Sequence, residues 1–253
     1  GHDVHVAYEI TRDKLGEDVT ARRLAASSPR ITCGTTPERV GSVRDLLARV
    51  DRTATRSGDV FPAGQGDTAG AAWESLATSV RLMADYLRYF EPAFADAHGI
   101  RDRAGKRLPQ LHQAIIRRLG SSGRLVRTTT ARILQAIERA IPTAPGLDPF
   151  VREHAPDLVL VTPLIELGSQ QVDYIKCARR LGIPSALCVA SWDNLTSKGL
   201  IRVIPDHVLV WNEAQRDEAV ALHGVRADRV HVTGAHLFDG WFAMRPSRTR
   251  EVF

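Results

Sequence analysis

Lysine, cysteine and aromatic residues are all scarce in this chain, and long apolar runs are absent. Only four of its 34 basic residues are lysine (Lys14, Lys106, Lys176, Lys198), so arginine supplies the rest. The three cysteines, Cys33, Cys177 and Cys188, are odd in number and far apart. That excludes a disulfide framework and a metal-knuckle spacing. No apolar stretch approaches the ~18 residues of a membrane-spanning helix, and no signal peptide opens the sequence. A reducing cytoplasm is the expected compartment. No two aspartates stand two apart, so the metal-and-diphosphate signature of one glycosyltransferase class is lacking, and no Ser or Cys nucleophile motif appears. Aromatic residues make up 6% of the chain, with none between Arg101 and Ala140. Single-stranded nucleic acid needs aromatic stacking platforms, so nucleic acid is not an expected partner.

What is present is a 253-residue chain with 43% hydrophobic and 25% charged residues, enough for one large α/β domain or two small ones. Its net charge is +5. Between residues 101 and 140 ten basic side chains face two acidic ones, Asp102 and Glu138. Such a segment is either a solvated helical face or a surface for phosphates, including an anionic membrane.

An alternating Val4/Val6 strand follows Gly1, and a second short strand is expected at Arg30–Cys33, stopped by Gly34. From 40 to 141 the pattern is helical. Val43, Leu46, Leu47 and Val50 mark one face; Trp73, Leu76, Val80, Met83, Leu87 and Phe90 mark the next. Leu111, Ile115 and Leu119 precede Gly120, and Ile133, Ile137 and Ile141 precede Pro142. The glycine pattern Gly64–Ala69 has no strand before it and reads as a loop. The final third is more regular. Leu158–Val161 is a continuous apolar run, as in a buried parallel strand. A helix with Val172, Ile175, Ala178 and Leu181 on one face follows, stopped by Gly182. Strands at Ser185–Ala190, His207–Trp211 and Arg229–Thr233 complete the pattern, with a helix Glu213–Leu222 capped by Asn212 and closed by Gly224. The expected fold is α/β, a Rossmann-like doubly wound parallel sheet formed by residues 1–39 and 142–245, with 40–141 as a large helical insertion.

In such sheets ligands gather at the carboxyl ends of the strands, where three segments carry chemistry. Glu166, just before a helix, is a base for an acceptor hydroxyl or simply a complement to the helix N-terminus. Ser191–Gly199 packs Trp192, Asp193, Asn194, Thr196 and Lys198 into one turn. An aromatic face with carboxylate and amide groups suits a sugar, and Lys198 suits a phosphate. The alternative is a self-bonded turn with Trp192 packed inward. After the last strand, His236 and Asp239 stand three apart, as an acid–base pair or as a cap beside an uninvolved histidine. Removing Asp193 is expected to leave the thermal transition nearly unchanged. His2 and His5 lack a third metal ligand nearby.

Residues Asp157–Val161, Ser191–Gly199, Pro205–Glu213 and Val232–Ala235 resemble GT-B-type glycosyltransferase-like proteins of bacterial surface-carbohydrate synthesis. Similar pacing occurs in CDP-glycerol glycerophosphotransferases and non-hydrolysing UDP-sugar 2-epimerases. The resemblance covers about residues 150–245 and implies the amino-terminal, acceptor-side half of a GT-B fold, with 246–253 leading toward a donor-binding domain. It implies a metal-independent transferase without a resident cofactor. The donor is then a nucleotide-sugar, and the acceptor is a surface glycan or a lipid-linked carrier. Asp193, Glu166 and His236 become the catalytic candidates. Trp192, Asn194, Thr196, Lys198 and Asp239 become the substrate-binding ones, and residues 101–140 meet the inner membrane face. Glycerophosphate transfer and a non-catalytic carbohydrate- or phosphate-binding module are the alternatives.

Overall fold

A computed structural model describes residues 3–8, 26–35, 68–144 and 146–245. The Val43–Val50 face, residues 64–67 of the glycine pattern, His2 and residues 246–253 lie outside these. The protein is an α/β structure with parallel strands in two sheets. Strands β1 (Val4–Tyr8) and β2 (Ile31–Thr35) form the first, in register Val4↔Ile31. The second holds β3 (Val159–Val161), β4 (Ser185–Cys188), β5 (His207–Val210) and β6 (Val230–Val232), side by side in chain order. This order contains no reversal, so two-sided winding is not visible in the four-stranded sheet itself. β2 runs through Gly34 rather than stopping there.

Local signals place the helices around this sheet. Helix α6 (Val172–Leu181) links β3 to β4, and α8 (Glu213–His223) links β5 to β6. Both end where Gly182 and Gly224 take φ of 71° and 67°, a left-handed turn that an L side chain resists. Asn212 Oδ1 accepts from the Gln215 backbone N–H at 2.9 Å, the cap its position implies. Val161, Ile175, Leu187, Leu195, Val208 and Val210 fill the core between sheet and helices. β3 departs from the expectation of a strand buried throughout. It is an edge strand, with Leu160 57% exposed.

Among the described residues, four longer helices, α1 (Thr68–Arg88), α2 (His98–Gly105), α3 (Gln110–Gly120) and α4 (Arg124–Ala140), and then the short α5 (Leu147–His154) precede β3. Val80, Tyr86, Leu87, Tyr89, Ile116 and Leu134 form their core. The expected α1 stripe holds at Val80 and Leu87, but the stripes on α3 and α4 are displaced. Leu111 is 70% and Ile133 54% exposed, whereas Ile116 and Leu134 are buried, and Glu138 is buried with them. On α4 the buried glutamate is compensated. Arg81 enters from α1 at no exposure and donates to both Glu138 oxygens at 3.0 and 3.1 Å and to Asp173 at 2.6 Å. Lys176 adds a bond to Glu138 at 3.1 Å. Burial alone disfavours the Glu138 carboxylate, but Arg81 and Lys176 hold its pKa below the usual range. A face containing a glutamate can therefore be the inner one, and the more apolar stripe is left outside. Among the described residues, no helix is long and apolar enough to cross a membrane.

Candidate functional site at the strand ends

The parallel strands bring their carboxyl-end segments to one edge of the sheet, and specific bonds join those segments. The stretch after β3, residues 162–169, contacts the stretch after β4. Gly199 N–H donates to the Ile165 carbonyl at 2.7 Å. A Cβ at Gly199 would stand 2.5 Å from the Glu166 carbonyl oxygen, so only glycine permits this approach. Leu164, in the first stretch, holds φ at 34°, a conformation that strains a leucine. Its N–H donates to Gln171 Oε1 at 2.8 Å. Such strain persists where the surroundings over-determine the backbone.

Gln215 ties in the strands beyond. Its amide nitrogen donates to the Ser191 carbonyl at 3.1 Å, and its oxygen accepts from Trp211 N–H at 2.8 Å. The Trp211 ring meets Phe238 edge to face, with centroids 5.6 Å apart. Ser191, Gln215, Trp211 and Phe238 thus link the ends of β4, β5 and β6.

A second support comes from α1. Asp85, 1% exposed, accepts from Gly168 N–H and Leu200 N–H, each at 2.8 Å, and pairs with Arg202. One carboxylate therefore holds both strand-end stretches. Three residues further along, Arg88 donates to the carbonyls of Leu195, Lys198 and Gly199. His223 donates from Nε2 to the Leu195 carbonyl at 2.7 Å and accepts at Nδ1 from Ile201 N–H at 3.1 Å. These two bonds require the neutral Nε2–H tautomer, and burial together with the Arg88 charge pushes the His223 pKa down to about 3.

Within Ser191–Gly199, which includes the short helix α7 (Asn194–Ser197), the predicted residues divide by role. Trp192 does not pack inward; it is 75% exposed. The turn is nevertheless self-bonded. Asn194 is buried, and its Oδ1 accepts from Ala190 and Ser191 N–H at 3.0 and 2.7 Å. Thr196 Oγ1 donates to the Asp193 carbonyl at 3.2 Å. Asp193 accepts from the hydroxyls of Ser191 and Ser197, the latter at 2.7 Å, and these bonds hold its carboxyl below the usual carboxylate range. Asp193 consequently shapes its own turn, and these bonds argue that its removal lowers the thermal transition. The Lys198 side chain is half-buried, with its charge felt at Asp193.

Glu166 is exposed, next to this turn through its backbone. His236 opens a short 3-10 turn (His236–Phe238), and Asp239 begins helix α9 (Asp239–Ala243); both are exposed. No hydrogen bond joins either of them to Asp193 or Glu166. What the arrangement offers is an ionised carboxylate beside an exposed indole face and an ammonium, on a rigidly braced turn. Asp85, Arg88, Gln215 and His223 brace it, and sequence reasoning missed all four as site supports. The Asn212 cap spacing pointed to Gln215 only as a capping residue. Among the described residues no group of three or more His, Cys, Asp or Glu side chains is placed to hold a metal ion.

None of the eight predicted site residues lines the cavity of about 520 Å³ that lies between α1, α4 and the segment 200–202. No family model, curated protein or solved structure matches the chain.

Proposed function

We propose that the protein is the acceptor-side half of a GT-B-type glycosyltransferase, with a Rossmann-like organisation, that presents a surface glycan or lipid-linked acceptor to a nucleotide-sugar donor. The observation that carries this reading is the convergence of the β3 and β4 strand-end segments at one edge of a parallel sheet, tied there to the ends of β5 and β6. Ligands of open parallel sheets bind at that edge. In this reading the Trp192 ring supports a sugar face. Asp193, kept ionised by Ser191 and Ser197, accepts hydrogen bonds from acceptor hydroxyls or takes a proton from one. Lys198 offers a positive charge to a phosphate. Glu166 and His236 stand as further base candidates at the same edge, with Asp239 as a binding group.

The outward stripe of α4 supports contact with an anionic membrane face. Leu125, Ile133 and Ile137 are exposed on one side of the helix together with Arg132. Apolar side chains among arginines suit the headgroup boundary of a bilayer.

A thermal-shift series on the full chain with nucleotide-sugars, CDP-glycerol and glycan acceptors tests the reading. A ligand at 100 times its Kd stabilises the folded state by about 2.7 kcal/mol. The expected result is a rise in midpoint with a nucleotide-sugar or glycan that Trp192→Ala abolishes. A shift confined to CDP-glycerol reassigns the transferred group. A shift that Trp192→Ala leaves intact removes this turn from the site.

A further inference from the structure

The cavity between α1, α4 and residues 200–202 is lined by one buried arginine, Arg88, that no ion pair among the described residues neutralises. Four arginines reach its wall, Arg81, Arg88, Arg132 and Arg202, against two glutamates, Glu91 and Glu138. Glu138 is already held by Arg81 and Lys176. Arg202 is paired with Asp85. Arg88 differs from both. At 5% exposure it forms no ion pair among the described residues, and carbonyl oxygens take its hydrogen bonds. Asp85 and Glu218 act on it only at longer range, and burial lowers its pKa. His223 beside it is neutral and supplies no negative charge.

Three of these guanidiniums also retain a buried nitrogen with no hydrogen-bond partner: Arg81 Nη1, Arg88 Nε and Arg202 Nε. All three residues are more than nine-tenths buried. A buried donor without a partner and a buried charge without a counterion are both costly. The three residues line the same cavity, where an acidic group would offset the charge that Arg88 carries without an ion pair. The remaining wall is apolar, with Leu87, Phe94, Leu134, Ile201 and Leu222. The Arg88 guanidinium lies over the Phe94 ring at 4.8 Å, so the charged and apolar parts of the wall adjoin. A volume of about 520 Å³ falls within the range of small-molecule sites.

We propose that this cavity binds a small amphiphilic anion: an acidic head group, carboxylate or phosphate, directed at Arg88 with Arg81 and Arg202, and an apolar body against Leu87, Phe94 and Leu134. Arg132 at the exposed rim on α4 draws the anion in. The site shares Arg88 and His223 with the bracing of the strand-end turn but does not depend on the sugar-transfer reading.

Calorimetric titration of the full chain with dodecanoate, farnesyl phosphate, farnesol and orthophosphate tests the proposal. One or both acidic amphiphiles bind at least about tenfold more tightly than farnesol, which lacks the charge, and than orthophosphate, which lacks the apolar body. Whichever acid binds more tightly identifies the head group. Added salt weakens the binding, as it does for a charge-assisted contact that is not fully enclosed. Ala131→Trp, on the exposed helical rim of the cavity, fills the space while leaving the buried arginines unsubstituted. It lowers the affinity about tenfold or more while leaving the ligand-free unfolding midpoint in place. Should that variant fail to fold, Arg132→Glu at the same rim provides the comparison through a weaker affinity for the acids alone. Farnesol binding as tightly as the acids, absence of binding by both acids, or unchanged affinity in the rim variant overturns the proposal.

Discussion

Asp85 and Arg202 form a buried ion pair across 117 positions of sequence. The same carboxylate receives the backbone N–H groups of Gly168 and Leu200, so one side chain on α1 anchors the ends of two strand-following segments. The helical block thereby determines the shape of an edge built by the sheet.

Asp85→Ala leaves Arg202 buried without its counterion and two backbone donors without an acceptor. Removing one partner of a buried pair costs about 3–5 kcal/mol. Urea unfolding is expected to show a loss of that size. Hydrogen exchange is expected to show faster exchange at Gly168 and Leu200 than at the amides of β4 and β5. Equal acceleration everywhere would mean that the pair supports global stability without anchoring these two segments.

The Arg81 network is predicted to be non-additive. Arg81→Met leaves Asp173 uncompensated and Glu138 with Lys176 alone, for a loss of about 3–5 kcal/mol. Adding Asp173→Asn removes one of the stranded charges, so the double variant is more stable than the sum of the single losses predicts. A double-mutant cycle measures this, with a coupling of about 1–3 kcal/mol expected between residues in direct contact.

Acid destabilisation should begin near neutrality. The His223 pKa is lowered in the folded protein from 6.5 to about 3, so the unfolded chain binds the proton first as pH falls. Stability is full above pH 6.5 and declines from there towards pH 3. At pH 5 the loss from this one group is roughly 2 kcal/mol. His5, whose pKa is also lowered by burial and by His154, acts in the same direction. Denaturant unfolding between pH 7 and pH 5 measures the slope, and His223→Gln is expected to flatten it. An unchanged slope in that variant would assign the acid sensitivity elsewhere.

Gly199→Ala forces a methyl to within 2.5 Å of the Glu166 carbonyl oxygen, a backbone atom that cannot rotate away. Overpacking of this kind costs about 1–3 kcal/mol. Gly123→Ala, where a Cβ meets nothing within 4 Å, serves as the control. Thermal unfolding is expected to separate the two variants clearly. If the strand-end turn binds the acceptor, Gly199→Ala also weakens ligand-induced stabilisation, because the turn is displaced from the segment containing Glu166.

Much of the sheet was readable from neighbouring residues. The apolar runs at 158–161, 185–190 and 207–211 became β3, β4 and β5, and Gly182 and Gly224 closed α6 and α8 where expected. The inner faces of α3 and α4 were not readable in that way. On α3, Ile115 and Ile116 are chemically equal as candidates for burial; on α4, burial of Glu138 relies on Arg81, 57 positions away. The candidate turn was likewise visible as a dense set of polar residues. Its division into an outward Trp192 and a buried Asn194 required knowing where Asp85, Arg88 and Gln215 lie.

The sequence by itself determined most strand and helix bounds of the final third and the polar density of the turn at 191–199, because caps, glycine turns and apolar periodicity act within a few residues. Tertiary structure alone decided which charged groups are buried, which helical stripe faces inward, and that Arg88 ends beside a cavity with no ion pair among the described residues. Those outcomes depend on charges that are distant along the chain and meet only in the folded interior. There the low dielectric makes the presence or absence of a partner matter most.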